Sequence, residues 1–422
     1  MTVRVSRLDN GLTVVTDPMP NIMTAAVALT VNAGARHETQ AQHGIAHMLE
    51  HMAFKGTATR SAAEIVGAIE RVGGSLNAAT SHENTVYAAR ILAEDVPLAV
   101  TLIGDIIENS RLEPEELARE QGVVLSEIGE AEDTPDDLVF EMMSETAFPD
   151  QPLGRPILGT RDSVRAMTVD SIRGYLSGHY RPGSMILSAA GAVDHDRFCA
   201  MAADAFRMSD GREASSFAPA LYQGGITTRA HDLDQTHLVL GFEGAPTGSD
   251  AFFTADIAST ILGGGMSSRL FQEARERRGL CYSIYAYSWG FAETGLFGVY
   301  AGTAPEDVAD LSDVIRHEIC AMAQGVTEDE IASACAQSKA GLLMSLENCA
   351  SRAEQIARHL VVFGEVLPAE ALVARLEAVT AQDVSAFMQR VAAEAEATVS
   401  IVGPGAPEAA AQRIAAAYGS GR

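Results

Sequence analysis

Residues His43 to Thr57 read HGIAHMLEHMAFKGT, and on a helical wheel His47, Glu50 and His51 share one face while Ile45, Met48, Leu49 and Met52 share the other. Histidines at i and i+4 project one turn apart, so both imidazoles reach a single tetrahedral ion such as zinc. A glutamate beside them is placed to take a proton from water activated by that ion. The order is H-x-x-E-H, the reverse of H-E-x-x-H. Lys55 and Gly56 supply a last-turn cation and a C-cap, which predicts that the helix ends there.

Two histidines leave a metal short of ligands, and the next carboxylates to consider lie in EPEELAREQGVVLSEIGEAEDTPDD. Pro114 suits a first helical turn, and Glu120 and Glu127 fall two turns apart on a face that also carries Leu117, Val123 and Val124. Carboxylates in an apolar stripe need a cation or strong donors, which a shared dication would supply. The same spacing also suits an exposed helix with ordinary surface glutamates. His43 shares the motif face and is expected at an exposed helix start. His82, His179, His195, His231, His237, His317 and His359 lack ligand spacing and are expected at the surface or locally bonded.

These residues must be held by a larger framework, and the sequence carries it twice. LAEDVPLAV and APEDVADLS, TVDSIRGYL and TAQDVSAFM, and ILSAAGAVD and TVSIVGPG each align at a separation of 212 residues, pairing Asp95 with Asp307, Thr168 with Thr380 and Gly191 with Gly403. One offset across three segments predicts two homologous domains, 1–212 and 213–422, joined near Ser209 to Gly225. MTAAVALTVNAG and THLVLGFEG alternate as strands. AAEIVGAIERVG, VPLAVTLIGDIIEN and TVDSIRGYLSGHY have helical periodicity. The mixture predicts an α+β fold, each domain a mainly antiparallel sheet packed with helices. Shifted by 212, His47, Glu50 and His51 become Ser259, Leu262 and Gly263, so the second copy has no such motif. LGGGMSSR, Leu262 to Arg269, reads either as a flexible connection or as backbone that approaches a peptide closely.

Composition narrows the partners. With 422 residues, 47% hydrophobic and 20% charged, the chain is globular and too long for one ordinary core. A net charge of −26 argues against nucleic acid and anionic membrane. No apolar run is long enough to span a bilayer, and MTVRVSRLDNGLTVVTD alternates like a strand rather than a signal peptide, so a cytoplasmic location is expected. The five cysteines lack a C-x-x-C pair and are expected to be reduced, mostly buried thiols.

Taken together, the H-x-x-E-H motif and the acidic helix resemble the pitrilysin-type inverzincin metallopeptidases, in particular the branch of mitochondrial processing peptidase and its bacterial relatives. That family places a third ligand glutamate seventy-six residues past the second motif histidine. The resemblance therefore implies one Zn2+ per chain held by His47, His51 and Glu127, with Glu50 as general base and Glu120 as a supporting acid. GGSLNAATSHENTVYAA is similar to the family's active-site strand, which implies that Asn77 contacts substrate backbone. FQEARERRGLCYSIYAY is similar to an Arg and Tyr pair seven apart, which implies that Arg275 and Tyr282 bind substrate, with the Tyr282 hydroxyl stabilising the carbonyl oxygen. The implied activity is that of a zinc metalloendopeptidase acting on oligopeptides or extended presequence-like segments, as a homodimer whose domains close on the peptide. The alternative is a catalytically inactive peptide-binding or assembly subunit of the same fold.

Overall fold

The computed structural model describes residues 3–208, 217–393 and 396–419. The expected joint at 212/213 and the first part of the Ser209–Gly225 linker lie outside these residues. Among the described residues eleven strands form two sheets. The first contains β1 (Arg4–Arg7), β2 (Thr13–Pro18), β3 (Thr24–Val31), β4 (Ser75–Thr80), β5 (Thr85–Leu92) and β6 (Met185–Gly191), in the order β1-β2-β6-β3-β5-β4. The second contains β7 (Gly225–Ala230), β8 (Thr236–Glu243), β9 (Cys281–Gly290), β10 (Gly295–Thr303) and β11 (Thr398–Gly403), in the order β7-β11-β8-β10-β9. Each sheet is antiparallel except for one parallel pair, β2 with β6 and β7 with β11.

The helices of the first half are α1 (Ile45–Ala53), α2 (Ala62–Glu70), α3 (Val96–Glu108), α4 (Pro114–Asp133), α5 (Pro135–Ala147), α6 (Arg161–Ala166), α7 (Val169–His179) and α8 (His195–Ala205). Those of the second are α9 (Asp250–Gly263), α10 (Val308–Gln324), α11 (Glu328–Ser345), α12 (Cys349–Phe363), α13 (Ala369–Glu377), α14 (Ala381–Ala393) and α15 (Glu408–Gly419). The repeat is visible strand by strand. β2 and β7, and β3 and β8, begin and end 212 residues apart, and the paired strands occupy the same places in the two sheet orders.

The compact units, however, are not the contiguous halves 1–212 and 213–422. One unit takes Met1–Gly129, Arg155–Ala218 and Met344–Leu367, and the other takes Glu130–Gly154, Pro219–Leu343 and Pro368–Arg422. The halves exchange a helix: α5 packs on β8 and β11, and α12 packs on β2, β3 and β6. A sheet face needs an apolar cover, and the repeat supplies it from the other half. In the first unit Ala26, Ala28 and Ala190 on the sheet meet Ala350 and Ala353 on α12, small side chains that let helix and sheet approach closely. Asp17 then receives the Arg352 guanidinium at 2.6 Å, with both side chains largely buried.

Candidate metal centre

Helix α1 is only nine residues long, and its first turn has no side-chain cap of its own because Gly44 stands at the N-cap. Glu38, itself buried, fills that role: its carboxylate accepts from Gly44 N and from Ala46 N, each at 2.8 Å. Gly44 has φ +88°, and a Cβ there would lie 2.9 Å from Gly159 Cα, so glycine is required at this contact. His43, expected to be exposed, is buried, because its Nε2 bonds the Pro156 carbonyl at 2.8 Å beside that contact. Ile45, Met48, Leu49 and Met52 are buried in the core, which turns His47, Glu50 and His51 to the opposite face. The helix stops at Ala53, with Phe54 as its C-cap, two residues short of Lys55.

Helix α4 supplies the acids. Leu117, Glu120 and Val124 are buried, whereas Val123 is exposed. Ligand atoms of His47, His51 and Glu127 all lie within 4.8 Å of one another, the only such group of three or more among the described residues. Glu127 Oε2 is 3.8 Å from His47 Nε2 and 3.6 Å from His51 Nε2, and the two rings meet edge to face with centroids 4.6 Å apart. Burial, together with the adjacent His51, pushes His47 down to about 4, so its imidazole is neutral with a lone pair to offer at neutral pH. Two imidazole nitrogens and a carboxylate oxygen converging in this way fit a tetrahedral zinc ion with one position left open.

Surrounding groups fix the ligands. His51 Nδ1 is 2.9 Å from Glu120 Oε2, and Glu120 Oε1 takes the Lys55 ammonium at 2.8 Å. Burial opposes ionisation of Glu120, but hydrogen bonds from Lys55 and His51 outweigh it and hold the carboxyl below its usual value. An ionised Glu120 keeps the proton on His51 Nδ1 and leaves Nε2 free for a metal. Thr80 Oγ1 donates to Glu50 Oε2 at 2.6 Å.

β4 is the outer strand of its sheet, and Asn77 is exposed on it. Beside Glu50 opens a cavity of about 470 Å³ whose apolar lining includes Phe54, Ile65, Val66, Ile69 and Leu76. Arg275 and Tyr282 belong to the other unit, where they pair with each other, the guanidinium 4.8 Å from the ring centroid. Arg275 sits in a rare π-helical turn, Phe271–Arg277. Tyr282 falls where β9 slips register against β10, between Cys281 and Ser283, and this irregularity leaves its ring 75% exposed. In that unit Gly263 stands where His51 would be, and even a Cβ there would lie 2.4 Å from Ala286 N. No imidazole fits. Of the five cysteines only Cys281 is buried and the rest are half-buried; all five are unbridged.

The description "Insulinase (Peptidase family M16)" matches residues 13–161, and "Peptidase M16 inactive domain" matches residues 166–338. A Rickettsia felis protein named "Uncharacterized zinc protease" is 39% identical over 401 residues, covering 95% of this chain and 97% of its own. The chain belongs to peptidase family M16. A Streptomyces coelicolor relative of the same naming is also 39% identical, covering 96% of this chain and 90% of its own. Among solved structures, a protease from Helicobacter pylori superposes with TM-score 0.88 at 22% identity, covering 96% of this chain and 99% of its own. A chain of complex III2 from Candida albicans superposes with TM-score 0.83, also at 22% identity, covering 95% of this chain and 96% of its own. At that identity these two speak for the M16 fold alone. No helix among the described residues is long and apolar enough to cross a membrane.

Sequence reasoning singled out the motif residues, and the structure brings His47, His51 and Glu127 together with Glu120 behind them. It missed Glu38, Lys55 and Thr80. Lys55 was read only as a helix-end cation, and nothing in local spacing points to Glu38 or Thr80, because their partners are set by tertiary contacts.

Proposed function

We propose that this chain is a zinc metalloendopeptidase that hydrolyses peptide bonds in extended oligopeptides. The observation that carries the reading is the convergence of His47, His51 and Glu127 with Glu50 on the same helix face as the two histidines. Zinc, when bound there, supplies a Lewis acid that lowers the pKa of water and polarises the scissile carbonyl. Glu50 accepts the proton from the attacking water and returns it to the leaving amine. An extended peptide adds to the open edge of β4, where main-chain hydrogen bonds hold it and Asn77 reaches its backbone. The cavity lined by Phe54, Ile65 and Leu76 accepts an apolar side chain next to the scissile bond. Arg275 and Tyr282 are assigned to substrate contacts, the half-buried guanidinium lying over the exposed tyrosine ring.

The test is zinc content measured alongside cleavage of a quenched fluorescent peptide, with and without chelator. Purified protein should carry one zinc per chain and lose activity on chelation. Glu50→Gln should keep the zinc and lose about 10²- to 10⁴-fold in kcat. Full activity in that variant, or a wild type that binds no zinc, would end the proposal.

A further inference from the structure

The carboxylate of Glu50 is tied to the strand that offers its edge to a peptide. Thr80 is the last residue of β4 and pairs with Thr85 across the β4–β5 hairpin. The turn between them is closed from both sides: Ser81 N donates to the Asn84 carbonyl at 2.8 Å, Ser81 Oγ donates to the same carbonyl at 2.9 Å, and Asn84 N donates back to Ser81 Oγ at 3.1 Å. A β-branched side chain has little freedom at χ1, so a hydroxyl on this locked pair is held in a fixed direction. That hydroxyl meets Glu50 Oε2 at 2.6 Å, while no hydrogen bond holds Glu50 Oε1 among the described residues. Next to it, the Tyr87 and Tyr180 hydroxyls are 3.1 Å apart and bond each other.

We propose that Thr80 is a positioning residue for hydrolysis, anchoring one oxygen of Glu50 to the edge strand so that the other faces the attacking water. The inference rests on the peptidase reading above and adds a coupling to it. The strand that aligns the peptide backbone also sets the direction of the proton acceptor. Any displacement of β4 therefore moves both. A serine would keep the donor but lose the stiffness, and valine would keep the shape but lose the donor.

The experiment compares Thr80→Val, Thr80→Ala and Thr80→Ser, reading zinc per chain, the far-UV circular dichroism spectrum, kcat and KM on one peptide. The donor-free variants should retain zinc and fold, keep KM within about twofold, and lose about 10- to 100-fold in kcat, the scale of one hydrogen bond to a charged group. Thr80→Ser should recover most of the loss. The proposal is overturned if both donor-free variants turn over like wild type, if the loss appears in KM, if Thr80→Ser is as slow as Thr80→Val, or if zinc leaves with the hydroxyl. A wild type without zinc and without cleavage would instead overturn the peptidase reading, and the role of Thr80 with it.

Discussion

Glu120 bridges His51 and Lys55, standing 2.9 Å from the imidazole Nδ1 with one oxygen and 2.8 Å from the ammonium with the other. A buried carboxylate so placed is a lever on the ligand's tautomer and direction. Glu120→Gln replaces one acceptor by a donor and removes the charge that Lys55 neutralises. It should weaken zinc retention by about 10- to 100-fold, measured by competition with a chromophoric chelator. Lys55→Met should weaken it less, since Glu120 still reaches His51. Equal zinc affinity in Glu120→Gln and wild type would assign Glu120 to packing alone.

What the sequence made legible follows from the range over which a residue pattern acts. α1 was readable because apolar and polar residues separate on one short helix, and strands were readable because MTAAVALTVNAG and THLVLGFEG, which become β3 and β8, alternate, and because the segments that become β6 and β11 recur at the common offset. Glu120 and Glu127 lie on another helix, so local periodicity proposed both acids and left open whether either met the metal. The exchange of α5 and α12 was not readable, since an amphipathic helix has the same pattern whichever sheet it covers. Nor was the π-helical turn before Tyr282, whose extra residue per turn leaves no mark in FQEARER.

The exchange predicts how the chain comes apart. Residues 1–212 alone would carry α5 without the sheet it packs on and would leave the face of β2, β3 and β6 without α12. Neither 1–212 nor 213–422 should fold alone, as read by dispersed amide NMR signals, whereas the two fragments refolded together should regain them. Within the intact chain, Asp17→Asn strands the buried Arg352 guanidinium and should cost about 3 kcal/mol, a fall of several degrees in Tm. Independent folding of the first fragment would contradict this account.

Acid should weaken the first unit through histidines that stay neutral when folded. Burial pushes His37, His82 and His359 each down to about 4, helped at His37 by His179 and Arg36, at His82 by Arg36, and at His359 by Arg352 and Arg358. Unfolded, each titrates near 6.5. Between those values the unfolded chain binds the extra protons, so this stability is intact above pH 6.5, is lost as pH falls toward 4, and levels off below. The slope is at most about 1.4 kcal/mol per pH unit for each histidine. Urea midpoints across pH 4 to 7 check the sign; His359→Phe should flatten the curve, and an unchanged slope would remove His359 from the account.

The cavity beside Glu50 should set which side chain is accepted next to the cleaved bond. Its wall combines Ile65, Ile69, Val66 and Leu76 from α2 and β4 with Phe54 at the end of α1, and Val66 is 45% exposed at its mouth. An apolar side chain entering it sheds water at little polar cost, whereas a carboxylate would be desolvated beside Glu70 and Glu50, both of which also line the cavity. Discrimination of this kind is worth about 1–3 kcal/mol per mismatched group, so a library varied at one position should show about 10- to 200-fold higher kcat/KM for leucine or phenylalanine than for glutamate. Val66→Asp adds a carboxylate at the mouth and should raise relative cleavage of lysine-bearing peptides while lowering that of apolar ones. If the library shows no preference at any position flanking the bond, or if Val66→Asp leaves the profile unchanged, the cavity does not hold a substrate side chain.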